Sequence, residues 1–345
     1  MDGASHSNKE GSRFPAKAHE TAAQRSVSAI VVSYFTGPLL ARSLEALRHQ
    51  PEIAEIILVD NGNWPGAVDE VIGDEANSQE GDQTPVTVIT GHGNVGFATA
   101  CNLGARRATG DFLLFINPDA ILPQGGLATL LADGAELARP WVLAPKLVNP
   151  DGTEQQGSRR ATLTPWRAFV EATKLYRFAP RHPYFRRFNL HTDPCPDGVT
   201  PLPCISGAAF LVPAEDFSAI GGMDEKYFLH AEDVDFCLRF SNAGGAVYFD
   251  PNVSVTHFKS SSRVSPLNVE WRKTASLLRY FGVHFKDEYP RPFLWLVGAS
   301  LWALFAVKAG IRTLSNVLGF LGLRARRGRR SLKRAREIAS VRSGR

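Results

Sequence analysis

Cysteine is scarce in this sequence, with four residues in 345, and none of the four forms a CxxC pair. They are Cys101, Cys195, Cys204 and Cys237, and two of them lie in segments predicted to be helices. This pattern argues against a disulfide framework or a structural zinc site and favours a reducing cytoplasm. Residues 1–25 contain no apolar segment, so we expect no secretory signal there and predict that this N-terminal lead segment is disordered.

Charged residues are also few, 21% of the chain against 44% apolar, which is typical of a globular protein. Their distribution is uneven. Residues 324–345 hold ten Lys or Arg and one Glu, so the rest of the chain has a net charge of −4 although the total is +5. This excludes a generally basic nucleic-acid-binding surface and confines any contact with a polyanion to the C-terminal end.

A membrane-spanning segment of ordinary length is also lacking. The apolar stretch at 293–307 has fifteen residues, interrupted by Gly298 and Ser300, whereas a span needs about 20. The apolar pattern continues beyond Lys308, and the cationic tail follows at once. This combination is typical of a helix that lies on an anionic membrane, and we predict membrane association through residues 293–345. A core helix followed by a solvated tail is the alternative.

Strands and helices alternate along the first third of the chain, which predicts an α/β fold with a parallel, doubly wound sheet. Predicted strands cover 27–34, 56–59, 86–90 and 112–116, and predicted helices begin at Pro38 and cover 97–108. Ligands of such sheets lie beyond the carboxyl ends of the strands. The residues at those ends are Ser33, Tyr34, Asp60, Asn61, the turn 91–96, and Asn117 to Asp119.

The pattern is less regular further on. We predict helices over 125–138 and 232–243 and strands over 142–148, 205–212 and 247–250. Residues 150–200 are rich in Arg, Pro and aromatic residues without clear periodicity, which is expected of an insertion or a loop that faces a substrate. No internal repeat is present.

The turn from Gly91 to Gly96 matches the GxGxxG pattern between a strand and a helix, which is the signature of a dinucleotide site. However, it follows the third strand rather than the first, and the first strand ends without a glycine cluster. An NAD(P)-dependent oxidoreductase that uses this turn therefore stays open as an alternative. In either case the turn lies at the edge of the sheet where a phosphate or nucleotide would bind.

Acidic residues and one histidine form the remaining candidate site. Asp119 follows a buried strand and His257 ends another, and such a pair can complete an open octahedral metal site. Glu232, Asp233 and Asp235 open a helix, where we expect one of them to be a cap. Three acids exceed what capping requires, and a carboxylate there can take a proton from an attacking hydroxyl.

An ordered set of short motifs carries a resemblance to a known family. It comprises VVSY at 31–34, VDN at 59–61, NVGF at 94–97 with Asn102, NPD at 117–119, ISGA at 205–208, GGMD at 221–224, EDVD at 232–235, and His257. Together, over residues 27–263, these motifs resemble the family 2 glycosyltransferases of the GT-A fold, in particular the bacterial rhamnosyltransferase-like enzymes of cell-envelope polysaccharide synthesis.

The resemblance implies an inverting transfer of a sugar, rhamnose in that branch, from a nucleotide diphospho-sugar. It assigns the donor's base and ribose to Ser33, Tyr34, Asp60 and Asn61, with Asn94, Gly96, Asn102 and Asn117 in the donor site. It assigns Mg²⁺ or Mn²⁺ to Asp119 and His257, with Asn117 in place of the first acid of the family's Asp-x-Asp motif. It makes Asp233 the catalytic base and Glu232 a contact of the acceptor hydroxyl.

The implied acceptor is a glycan or a polyprenyl-diphosphate-linked sugar at the cytoplasmic face of the bacterial inner membrane, where the protein would be peripheral. The expected organisation is a lead at 1–25, a GT-A domain at 26–263, a helical segment at 264–323 and a basic tail at 324–345. Within the GT-A domain, 26–122 would be the nucleotide-binding half and 123–263 the acceptor half. A non-catalytic membrane-bound scaffold of the same fold is a further alternative, and it predicts that Asp233 and His257 do not face a common cleft.

Overall fold

The structure, a computed structural model, describes residues 26–35, 37–76, 84–178, 182–259 and 265–320. The predicted disordered lead at 1–25 and the basic tail at 324–345 lie outside the described residues.

Eleven strands and nine helices are formed by the described residues. The strands are β1 Val27–Ser33, β2 Ile53–Asp60, β3 Val86–Ile89, β4 Phe112–Ile116, β5 Ala120–Ile121, β6 Trp141–Val148, β7 Arg159–Arg160, β8 Thr200–Pro201, β9 Cys204–Ile205, β10 Ala209–Pro213 and β11 Ala246–His257. The helices are α1 Leu39–Arg48, α2 Ala67–Ala76, α3 Phe97–Ala105, α4 Gly126–Ala135, α5 Pro165–Thr173, α6 Ala214–Ala219, α7 Glu232–Asn242, α8 Pro266–His284 and α9 Arg291–Phe320.

The main sheet has the order β3-β2-β1-β4-β10-β6-β11-β5, with β8 paired to β11. Strands β1 to β4 are parallel to one another, and so are β6 and β11, whereas β10 runs antiparallel to both of its neighbours. The sheet is therefore mostly parallel, as predicted, with one reversed strand near its centre. Strands β7 and β9 form a separate two-stranded ribbon.

Both faces of the sheet are covered, which explains the near-continuous apolar runs of its strands. All seven residues of β1 are buried, and they alternate between two core layers. Ile30 and Val32 join the layer that holds α3, α7 and the C-terminal helices, while Ala29 and Val31 join the layer of α1 and α4. This sandwich leaves the carboxyl ends of β1, β2 and β4 at one edge.

The C-terminal helices share the first of these core layers. Tyr280, Phe281 and Phe285 of the α8 region are buried there together with Val297 and Leu301 of α9. Among the described residues, one helix, Arg291–Ser315, is long and apolar enough to cross a membrane, and only 11% of its most apolar window is buried. The helix is thus longer than the fifteen-residue stretch that the sequence indicated, because Lys308 does not interrupt it.

The predicted strand over 205–212 is wrong in one respect, because it is divided into β9 and β10. Residues 206–208 form a turn between them, and there the backbone N–H of Gly207 donates to the carboxylate of Asp233 at 3.1 Å. The predicted strand at 247–250 is instead the start of β11, which continues to His257 after a shift of register between Asp250 and Ser254.

Candidate active site

Asp119 and His257 lie side by side at the edge of the sheet. His257 ends β11, and Asp119 lies in the turn between β4 and β5, the strand that pairs with the end of β11. The Nε2 atom of His257 is 3.1 Å from Asp119 Oδ1 and 3.3 Å from Asn117 Nδ2. Both the carboxylate and the imidazole are buried.

The imidazole of His257 is oriented by Gln155. The Gln155 side chain donates through Nε2 to the His257 carbonyl and to Asn149, so its Oε1 faces His257 Nδ1 at 2.7 Å. Nδ1 therefore donates to Gln155, and Nε2 faces Asp119. An imidazole with one nitrogen held by such an outer hydrogen bond and the other facing a carboxylate has the arrangement of a histidine metal ligand.

Asp233 lies in the first turn of α7 and is held from two sides. Its Oδ2 accepts from Arg160 Nη1 of β7 at 2.6 Å and from the backbone N–H of Gly207. Two consecutive left-handed residues, His230 and Ala231, turn the chain into α7. Ala231 is the N-cap and has no capping side chain, but Asp233 Oδ1 accepts the backbone N–H of Val234 at 2.9 Å, so one of the three acids does bind an N–H of the first turn.

Backbone hydrogen bonds connect the Asp119–His257 pair to Asp233. The backbone N–H of Asn117, whose side chain contacts His257, donates to the carbonyl of Ala208 at 2.8 Å, and the neighbouring Gly207 donates to Asp233. Two hydrogen-bonded steps at the same edge of the sheet therefore connect the three predicted side chains.

The two acids at the start of α7 have opposite electrostatic environments. Burial favours a protonated Asp233, but Arg160 and the N–H of Gly207 outweigh it and hold the pKa of Asp233 below its usual value. Burial and the adjacent Asp233 raise the pKa of Glu232 to about 8. Glu232 is 7% exposed, and its Oε2 has no hydrogen-bond partner among the described residues.

The thiol of Cys101 in α3 is buried, and its pKa is raised by this burial and by the nearby carboxyl of Glu232. This carboxyl therefore lies on the inner side of α7, towards α3. The expected contact between Glu232 and an acceptor hydroxyl is not supported by this placement.

The predicted donor residues meet at the ends of β1 and β2. Asn63, which the sequence analysis did not single out, donates to Ser33 Oγ at 2.9 Å and to Asp60 Oδ1 at 2.8 Å. The hydrogen bonds that the described residues make to the Asp60 carboxylate are all on Oδ1. The Tyr34 ring packs beside Gly62, which forms the wall next to this carboxylate.

The glycine turn before α3 serves packing. Asn61 donates to Asn94 at 3.2 Å and accepts from the N–H of Val95, so the turn is fastened to the end of β2. A Cβ atom at Gly96 would lie 2.6 Å from the carbonyl oxygen of Phe228, and its φ is +86°. The lack of a side chain at Gly96 thus allows the 228–231 segment to pack against the turn. The strand before the turn, β3, is an edge strand of the sheet. Neither feature favours the dinucleotide alternative.

Asn102 has a different position from the one expected. It is buried in α3, donates to the Met223 carbonyl and Glu225, and accepts from the Met223 N–H. Its amide is fully used in joining α3 to the 222–225 segment, so the structure makes Asn102 a tether beneath the site.

No cluster of three or more His, Cys, Asp or Glu side chains arranged for a metal is found within the described part of the chain. The Asp119–His257 pair would therefore need ligands from a bound substrate. A cavity of about 590 Å³, lined by residues such as Trp166, Tyr184 and Leu238, lies at the far end of α7 and contains none of the predicted site residues.

The structure also reveals site residues that sequence analysis missed. Arg160 and Gln155 lie in the segment without periodicity, and no local pattern distinguishes them from the many polar residues around them. The Arg-rich composition of 150–200 was the only signal, and it suggested a substrate-facing loop without naming a residue.

Comparison with known proteins agrees with this geometry. Residues 28–194 match the family model for glycosyl transferase family 2. The N-acetylglucosaminyl-diphospho-decaprenol L-rhamnosyltransferase of Mycobacterium tuberculosis H37Rv is 29% identical over 248 residues, which are 68% of this chain and 76% of that protein. Rhamnosyltransferase WbbL of Escherichia coli K12 is 27% identical over 153 residues, 44% of this chain and 54% of WbbL.

Solved structures show the same fold at low identity. Mannosyltransferase PcManGT from Pyrobaculum calidifontis, in complex with GDP-Man and Mn²⁺, has a TM-score of 0.52 at 17% identity, covering 96% of this chain and 90% of its own. GalNAc-T7, solved with UDP, GalNAc and Mn²⁺, has a TM-score of 0.54 at 18% identity, covering 76% and 48%. Residues 28–194 thus form a glycosyl transferase family 2 domain, and the protein is a glycosyltransferase of the GT-A fold.

Proposed function

We propose that this protein is an inverting, metal-dependent glycosyltransferase that moves rhamnose from a nucleotide diphospho-sugar to a polyprenyl-diphosphate-linked acceptor. The observation that carries the proposal is the convergence of the Asp119–His257 pair and the Asp233 carboxylate at one edge of the sheet. The sugar and the acceptor come from the M. tuberculosis relative, which is named for both.

The Asp119–His257 pair fits a divalent cation. Ligands that are adjacent on an octahedral ion, each about 2.1 Å from it, lie about 3 Å apart, and the two facing atoms are 3.1 Å apart. The carboxylate suits Mg²⁺ or Mn²⁺, the imidazole would be the second ligand, and an incomplete protein ligand set leaves positions for diphosphate oxygens. When bound, such an ion neutralises the charge that develops on the leaving diphosphate.

Asp233 is the proposed base. Its pKa is lowered, so it is ionised at neutral pH. Arg160 and Gly207 hold Oδ2 and the N–H of Val234 holds Oδ1, so the carboxylate is fixed in place to accept the proton of an acceptor hydroxyl. The hydroxyl oxygen then attacks the anomeric carbon on the face opposite the diphosphate. A bond forms to one face as the bond to the leaving oxygen breaks, so the anomeric configuration inverts.

The direct test uses a panel of nucleotide diphospho-sugars with N-acetylglucosaminyl-diphospho-polyprenol as acceptor. We expect transfer from a nucleotide-linked rhamnose with inversion of the anomeric configuration, which NMR of the anomeric proton detects. We expect EDTA to abolish this transfer. Asp119→Ala and His257→Ala should each lower kcat/KM by about 100-fold or more, because the ion loses a ligand. The exposed His49→Ala serves as the matched control. Full transfer in EDTA, or retention of configuration, would contradict the proposal.

We further infer that α9 lies on the membrane surface. One side of the helix packs on the protein through Val297 and Leu301, and Lys308 pairs with Glu270 of α8 at 2.7 Å. Its other side exposes apolar residues, among them Trp295, Val307, Ile311 and Leu314. A spanning orientation would draw the charges of α8 into hydrocarbon, which is costly, so a parallel orientation is favoured.

Removal of residues 324–345 should release the protein from anionic membranes, because each Lys or Arg near the surface contributes about 1 kcal/mol of binding. We expect the full chain to sediment with phosphatidylglycerol-containing vesicles at low salt and to be released at about 1 M NaCl. A chain with the tail cations replaced by Gln should behave like the truncation. Salt-resistant sedimentation of all three proteins would instead indicate a spanning helix.

A further inference from the structure

A group of basic side chains lies beside Asp233. Arg160 contacts Asp233 directly. His230 precedes α7, its Nε2 is buried without a hydrogen-bond partner, and its pKa falls to about 4 through burial and then through the charges of Lys273 and Arg160. Lys273 of α8 is the third member, and we call Arg160, His230 and Lys273 the basic cluster.

Contacts between α8 and the 228–230 segment fix the position of Lys273. The hydroxyl of Ser276, one turn further along α8, donates to the Leu229 carbonyl at 3.0 Å. The guanidinium of the neighbouring Arg272 lies 3.9 Å above the Phe228 ring. These contacts hold the face of α8 that carries Lys273 against the segment that leads into α7.

Lys273 forms no ion pair with the described residues, although its surroundings are crowded. Its side chain is exposed, and the surrounding protein, Lys308 and Arg160 lower its pKa against the opposing effect of Glu270. The nearby Glu270 is paired with Lys308, and Asp233 is paired with Arg160. Like charges that are held together repel one another, and a bound anion would reduce this repulsion. The basic cluster is therefore suited to bind an anion that is not part of the protein.

We propose that the basic cluster binds the diphosphate of a lipid-linked acceptor, with Arg160 and Lys273 as the charged contacts and His230 Nε2 as a polar one. The proposal rests on the proposed function and adds the residues that recognise its acceptor. In such an acceptor one sugar separates the attacking hydroxyl from the diphosphate, and the lipid follows on the other side. In the structure, Asp233 contacts the basic cluster through Arg160, and α8, which carries Lys273, is tied to α9 by the Lys308–Glu270 pair.

A sugar-free probe tests the site apart from catalysis. Farnesyl diphosphate carries the diphosphate and an isoprenyl chain, and its binding to the full chain in detergent with EDTA can be followed by calorimetry. We expect Lys273→Ala to weaken this binding by about tenfold or more, since charge-assisted hydrogen bonds to the diphosphate are lost. Lys273→Arg should retain most of it, and Lys286→Ala, an exposed lysine just beyond α8, should bind normally.

Competition and kinetics separate this site from the donor site. We expect a nucleoside diphosphate with Mn²⁺ to leave farnesyl diphosphate bound, and Lys273→Ala to raise KM for the acceptor but not for the donor. Equal binding by wild type and Lys273→Ala, or displacement by the nucleotide, would overturn the assignment. A wild-type chain that binds the probe through Lys273 but transfers no sugar would refute the proposed function and leave the diphosphate site standing.

Discussion

Asp233→Asn should reduce sugar transfer by about 10³-fold while leaving metal-dependent nucleotide binding intact. The amide has the size of the carboxylate and can still accept the Gly207 N–H, although Arg160 then has no counter-ion and the variant should be less stable than the wild type. The amide cannot accept the proton of the attacking hydroxyl. The measurements are kcat with the lipid-linked acceptor and thermal stabilisation by the donor nucleotide with Mn²⁺.

Asp224→Asn is the matched control for this substitution. Asp224 is also paired with an arginine, Arg279 at 3.0 Å, but it lies outside the site and is more exposed. The change of charge and size is therefore the same in both variants, and only one of them touches the proposed chemistry. Wild-type turnover by Asp233→Asn would remove Asp233 from the role of base, and equal losses in both variants would point to a general effect of charge.

Much of the fold was predictable from the sequence, because burial of both faces of a parallel sheet leaves a strong local signal. The apolar run of β1 and the small, apolar face of α3 indicated their elements without tertiary information. The division between β9 and β10 could not be foreseen in this way. Ser206, Gly207 and Ala208 suit a strand as well as a turn, and the deciding hydrogen bond comes from Asp233 in another element.

The same distinction holds within the site. Asp119 and His257 could be proposed from sequence because each follows a strand, and strand ends of one sheet converge. Their supporting residue Gln155 lies 102 positions from His257 in a segment with no periodicity. Asn102 matched a family motif, yet its amide is consumed by the 222–225 segment. A motif identifies a residue type at a position, whereas the direction of the side chain depends on long-range packing.

Removing the guanidinium of Arg160 should have the largest effect on stability. Asp233 is largely buried, with 14% of its side chain exposed, and the pair is 2.6 Å apart. Removal of one partner from a buried ion pair typically destabilises a protein by about 3–5 kcal/mol, because the remaining charge has no counter-ion. We therefore expect Arg160→Met to lower the free energy of urea unfolding at pH 7 by about 3 kcal/mol. Arg187→Met, which breaks a more exposed pair with Glu171, should lower it by about 1 kcal/mol or less.

The pH dependence gives this expectation a second readout. In the wild type the pKa of Asp233 is lower in the folded state than in the unfolded state. The pair therefore stabilises the fold above the unfolded pKa, near 4, and this contribution is lost as the pH falls through the folded value. Without Arg160, burial and Glu232 would raise the pKa of Asp233. At mildly acidic pH the variant would therefore hold a protonated, neutral Asp233 and would no longer bury an unpaired charge.

The difference in unfolding free energy between Arg160→Met and wild type should accordingly shrink as the pH is lowered from 7 towards 4. In kinetics, the acidic limb of kcat/KM should move to higher pH in the variant, since the base then holds its proton more tightly. A purely structural arginine would destabilise the protein without moving that limb. An unshifted acidic limb in a folded Arg160→Met enzyme would therefore show that Arg160 does not set the proton affinity of Asp233.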